Sequence, residues 1–307
     1  MKPALAIFAA LAVLPAVFHA IGESFFLVNA TRIVILALAA LSLDLILGYG
    51  GLVSFGHAAF LGIGAYAVAI LASLGIDDLL PQLVAAVLAA SVFALVTGAI
   101  SLRTRGVYFI MITLAFGQMA FFLMVSLSAY GGDNGMSLPS RSTLFGRPLL
   151  QGDTGLYYAA LLALLLAFAL LHRVVLSRFG RVLRGSRDNP VRMQAIGLAP
   201  FRYRLAAYVM AGAVAGVAGV LLANQAGFVS PAYMTWQRSG ELIVMVVLGG
   251  QGTLTGAIGG AIVFLLLEDG LAQFSEHWRL GLGALLVLLV LFGRGGLAGA
   301  ARRLSPA

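Results

Sequence analysis

Apolar residues fill this chain in long blocks, and polar residues gather in short stretches between them. The blocks cover 3–21, 33–47, 52–74, 82–101, 107–128, 155–172, 205–226, 241–267 and 280–293. Most approach the ~20 residues that an α-helix needs to cross a bilayer. The pattern predicts an all-α, polytopic helical transmembrane bundle of about 8–10 helical pieces. Residues 1–307 are expected to form a single membrane domain. The first block follows Lys2 as in a signal peptide, but the bulky Phe18 argues against a cut after Ala20, so it reads as an uncleaved first span.

Two glycine-rich breaks interrupt the blocks. Gly48, Tyr49, Gly50 and Gly51 separate the second from the third, and the sequence GGQGTLTG from Gly249 to Gly256 cuts the block 241–267. The breaks occupy comparable places in the two halves, which points to a transport site at mid-membrane between repeats. The alternative is that these glycines only let helices approach closely, as expected for Gly212 with Gly216 and Gly256 with Gly260.

Charge placement sets the orientation. With Lys2 inside, the connection holding Arg103 and Arg105 and the arginine segment 173–204 both fall inside, while Asp77, Asp78 and the polar segment 129–154 fall outside. A single crossing by 241–267 would reverse the rest, putting Arg294, Arg302 and Arg303 outside. Two short helices or a re-entrant hairpin around the second break restore both termini to the cytoplasm. Irregular backbone is tolerated at that depth only when buried in protein or lining a wet cavity.

Composition narrows the function. Hydrophobic residues make up 61% of the chain and charged residues 10%, far from the roughly 25% charge of soluble domains. The net charge of +8 is concentrated beside apolar blocks, which fits topology and contact with anionic lipid rather than nucleic acid. With no cysteine, disulfides and thiolate metal sites are excluded. The four histidines (His19, His57, His172 and His277) show no metal spacing. Lys2 is the only lysine, so no phosphate-binding loop ending in Gly-Lys-Ser/Thr exists here. Any ATP consumed is therefore hydrolysed on another chain, and no nucleophile–base motif marks an enzyme.

The arginine segment holds eight of the nineteen basic residues, against one acid, Asp188. Within it Asn189 can cap, Pro190 occupies a first helical position and Gly197 follows the last turn, which predicts a two-turn helix. A cytoplasmic helix this short, without an apolar core of its own, reads as a docking element.

Inside the blocks, Asp44 is the one deep acid; it is either a pathway or coupling group or a cap for backbone freed by the first break. Ser54 and His57 follow that break and either line a pathway or bond across helices. Gln251, Thr253 and Thr255 are the polar contents of the second break, between the same alternatives. Gly131–Pro139 is rich in turn residues and serves as a receptor-facing loop or a plain connector.

The run LILGYGGLVSFGHAAFLGIGAY from Leu45 to Tyr66 strongly resembles the permease subunits of branched-chain amino acid ABC importers. So do GGDNGM from Gly131, GRVLRGSRDNP from Gly180 and VLGGQGTLTGAIGGA from Val247, in the same order. The long outer segment is similar to that of the larger of the family's two permease types. The resemblance implies an alternating-access importer built from two similar permeases, two cytoplasmic ATPases holding ATP and Mg, and an external solute-binding protein, in a bacterial inner membrane. No cofactor is implied on this chain. The pathway candidates are then Asp44, Ser54, His57, Gly249, Gly250, Gln251 and Thr253. The ATPase-coupling contacts are Arg184, Arg187, Asp188, Asn189, Ala195 and Gly197. The family's loop often has an acidic residue where Pro190 stands here. Related permeases also serve urea, short amides and aromatic carboxylates. An ion-coupled carrier using Asp44 and His57, with no ATPase, is the reading from another class.

Overall fold

A computed structural model describes residues 2–21, 24–274, 280–284 and 295–299. The expected all-α bundle is what forms, with six helices long and apolar enough to span a membrane among the described residues. The last predicted span and the arginines at 294, 302 and 303 lie largely outside the described residues.

Helix α1 covers Lys2–Ile21 and α2 covers Ser24–Asp44. The second helix starts well before the apolar block does, because its polar residues find partners: the Thr31 hydroxyl donates to the Leu27 carbonyl, and Arg32 pairs with Glu268 at 3.3 Å. After α3 (His57–Ser73), α4 (Leu79–Ser101) and α5 (Val107–Ser126) comes α6 (Asp153–Leu176). The arginine segment folds as two helices, α7 (Arg178–Asp188) and α8 (Pro190–Ala195), before α9 (Pro200–Ala226). The bundle continues with α10 (Trp236–Gly249) and α11 (Leu254–Phe274).

Helix α2 is the axis: 89% of its most apolar window is buried, against 22% for α5. It packs on α6, α9, α10 and α11, while α9 also carries α3 and α4. The α4–α9 contact depends on small residues. A methyl group at Gly212 would meet the Ala94 Cβ at 2.8 Å, and one at Gly216 would meet the Ala90 Cβ at 2.9 Å. Lipid tails are as apolar as leucine, so this close approach, rather than water exclusion, holds such helices together. The close-packing reading of Gly212 and Gly216 is therefore the one observed. The outward faces of α4, α5 and α6 present Leu88, Val92, Met119, Phe122, Leu162 and Leu166.

The polar segment after α5 is folded onto the bundle end. Strand β1 (Met136–Ser137) pairs antiparallel with β2 (Phe228–Val229), just past α9. Ser142 donates its hydroxyl to Gln82 at 2.5 Å and its N–H to Asn224 at 2.7 Å. Helices α10 and α11 fold back on one another, with Gly249 against Gly256 and Met245 against Gly260. Their break lies near the C-terminal end of α2 and the arginine segment, while Glu268 lies beside Arg32 near the opposite end of α2.

Candidate functional site

The first break is an opening of α2. Its last turn widens to a π-helical turn over Leu45–Tyr49, closed by the Leu52 N–H donating to the Ile46 carbonyl at 2.9 Å. Gly51 follows at φ +66°, a left-handed conformation suited to glycine, and helix resumes at His57. Backbone freed in this way needs partners in a water-poor interior. The Phe55 N–H donates to Thr113 Oγ1 on α5 at 3.3 Å, and the Ala58 N–H to Ser239 Oγ on α10 at 3.0 Å.

The second break is closed mostly on itself. Gly250 sits at φ +106° and ends α10, and Thr253 Oγ1 donates to the Gly250 carbonyl at 2.6 Å. The Gly250 N–H donates back to the Val246 carbonyl at 3.0 Å. Gln251 is exposed, whereas Thr253 is half-buried.

The fold brings the two breaks into contact. Asp44, fully buried, accepts a hydrogen bond on Oδ1 from the Gly252 N–H at 2.8 Å. A methyl group at Gly48 would strike both the Asp44 carboxylate and the Gly252 backbone. Only glycine fits there. The hydrogen bond of Asp44 goes to backbone of the second break and not to the nearby first break that the capping alternative named. Its second oxygen, Oδ2, has no partner among the described residues.

His57 is buried and bonds Ser42 Oγ at 2.8 Å, with its ring edge against Phe60. Ser42 donates its one hydroxyl hydrogen to the Ala39 carbonyl at 2.7 Å. It therefore accepts from His57, which assigns the proton to Nε2 and leaves Nδ1 unpartnered among the described residues. Ser54 is buried beside Tyr208 of α9.

The arginine segment divides in two. Arg187 turns inward and donates through Nη1 to the Gly48 carbonyl at 2.5 Å, while its Nε holds Asp188 at 3.1 Å. The Arg184 guanidinium lies 5.9 Å from the Tyr49 ring centre, a cation–π geometry. Asn189, Ala195 and Gly197 remain exposed on and around α8. The Asn189 side chain caps α8 by accepting from the Arg192 N–H at 2.9 Å, and Gly197 takes φ +82° past its end. Val191 and Ile196 project from this helix, each 65% exposed. Beside the first break, a cavity of about 330 Å³ is lined by Gly50–Val53, Thr104–Gly106, Arg187 and Arg204.

Sequence reasoning missed Ser42, Thr113 and Ser239, the partners that hold the first break. They are isolated hydroxyls in apolar blocks, and nothing local distinguishes them from hydroxyls bonded to their own helix. Only Ser42 carried a signal, lying two positions from Asp44.

Residues 26–291 match the family model described as the permease component of branched-chain amino acid transport systems. The chain belongs to this family. The high-affinity branched-chain amino acid transport permease LivM of Salmonella typhimurium is 33% identical over 294 residues, covering 87% of this chain and 68% of that protein. LivM of Escherichia coli gives the same figures. LivH of Salmonella typhimurium, named as a permease of the same kind of transport system, is 27% identical over 83% of this chain and 88% of its own length. No solved structure matches significantly. This family member is a multi-pass membrane permease, a transport subunit, with relatives of two permease types.

Proposed function

We propose that this permease is one of two similar translocation subunits of an ATP-driven importer for branched-chain amino acids. Two cytoplasmic ATPases would bind ATP and Mg, and an external binding protein would deliver the solute. The bacterial inner membrane would hold the assembly, with both termini of this chain in the cytoplasm. The substrate class rests on the transport systems after which the relatives are named. Urea, amides and aromatic carboxylates are the alternatives within the family.

One observation carries the coupling: α8 is capped at its start, buries no residue, and presents Val191 and Ile196 outward beside exposed Arg192. Two apolar side chains exposed on one short, capped helix form a patch that a partner can cover. A groove in an ATPase subunit supplies that cover, with contacts expected around Asn189, Ala195 and Gly197. ATP binding then acts by favouring one conformation of the permease over another. The pathway is assigned to the region of the paired breaks, with Asp44, Ser54, His57, Gly249, Gly250, Gln251 and Thr253 as candidates.

The test is purification of the tagged permease from its native membrane with its companions. Wild type should bring ATPases, and the V191E/I196E variant should insert yet lose them. If wild type comes alone and drives uptake from an ion gradient, the ion-coupled reading replaces this one.

A further inference from the structure

We propose that Arg187 and Asp44 are positioning residues forming a two-bond tie, which carries movement of the arginine segment into both glycine breaks at once. The inference rests on the ATPase-coupled reading and deepens it.

The tie begins where α8 meets α7. The Asn189 N–H donates to the Gly185 carbonyl at 2.9 Å, so the two helices share their junction. One residue before Asp188, Arg187 donates to the Gly48 carbonyl at 2.5 Å. Gly48 in turn packs against the Asp44 carboxylate and the Gly252 backbone with no room for a methyl group. Asp44 completes the link through the Gly252 N–H at 2.8 Å. These partners are 139 and 208 residues apart in sequence, yet they follow one another in space.

The Arg187 bond is charge-assisted, which makes it stronger than an ordinary amide pair. The packing between them matters as much. Close-packed interiors pass a displacement on rather than absorb it, so the first break cannot shift at Gly48 without moving Asp44 or Gly252. Withdrawal of Arg187 leaves the Gly48 carbonyl short of a partner in surroundings where unpaired polar groups are costly. Each bond therefore favours the arrangement in which the other is made. A docking helix that moves with its ATPase would thus shift α2, and through Asp44 the start of α11.

The tie demands an acceptor at position 44 and no proton exchange there, so an amide should replace the carboxylate. An ion-coupling role demands the opposite. The experiment uses the complete complex in proteoliposomes with its binding protein and a branched-chain amino acid, and measures solute moved per ATP hydrolysed. Relative to wild type, R187M and D44L should each lower that ratio about tenfold, equivalent to a coupling energy of about 1.4 kcal/mol, while the D44N ratio should stay above both. The double variant R187M/D44L should be no worse than the poorer single one, because both bonds serve one link.

A wild-type ratio in R187M overturns the proposal, as does a D44N variant as poor as D44L. If D44L does not assemble, the R187M and D44N ratios decide. Absence of ATP-driven uptake in wild type sinks the coupled reading itself, and is told apart from failure of the tie by which protein fails.

Discussion

The two glycine breaks interrupt helices in similar sequence settings, yet they are held in opposite ways. The first takes hydroxyl partners from α5 and α10 and a guanidinium from α7, with Ser54 and His57 buried beside it. The second closes on itself through Thr253 and Val246, exposes Gln251, and reaches outside through the Gly252 N–H. A break fixed by several neighbours keeps its shape only while those neighbours stay put. A self-closed break travels as a unit with its helices. The first is thus suited to sense movement around it, and the second to be carried along.

The largest effect that would test this contrast is at Gly48. In G48A the added methyl group has no space, and overpacking of this kind costs about 3 kcal/mol. The G259A variant on α11 meets open space and should be neutral or gain up to about 1 kcal/mol of helix propensity. Thermal melting of the detergent-solubilised permease separates the two, and equal melting points would mean the first break is not packed as described.

Next come the hydroxyls that serve the first break. S239A and T113A each leave a backbone N–H with no partner, costing about 1–3 kcal/mol apiece. In the second break, T253A removes a bond to the partly wetted end of a helix and should cost about 1 kcal/mol or less. The same melting measurement checks this ordering, and a T253A loss exceeding that of S239A would reverse the comparison. The smallest effect is Q251A, an exposed position expected to stay within about 0.5 kcal/mol. A larger loss in transport than in stability there would mark Gln251 as a pathway residue.

Much of this was legible in the chain. Apolar blocks of spanning length predict a membrane bundle because every backbone group in lipid must be satisfied within a helix. Asn189, Pro190 and Gly197 predict α8 because capping is a local matter of side-chain reach and backbone angle. Both breaks are visible as glycine-rich runs with polar residues in or beside them, and Asp44 is conspicuous as an acid inside an apolar block. Helix α7 escaped although its buried positions, Gly180, Leu183 and Ser186, recur every third residue on one face, because only Leu183 among them is strongly apolar and the arginines dominate the segment.

Local sequence sets the class of the molecule, the ends of helix α8 and the places where its helices had to open, since each depends on neighbours within a few residues. Packing across the bundle settles that Asp44 bonds the second break rather than its own, that Arg187 reaches Gly48, and that Thr113 and Ser239 hold the start of α3. A freed backbone group accepts any donor or acceptor of the right geometry, and which one arrives depends on how α2, α7, α10 and α11 pack.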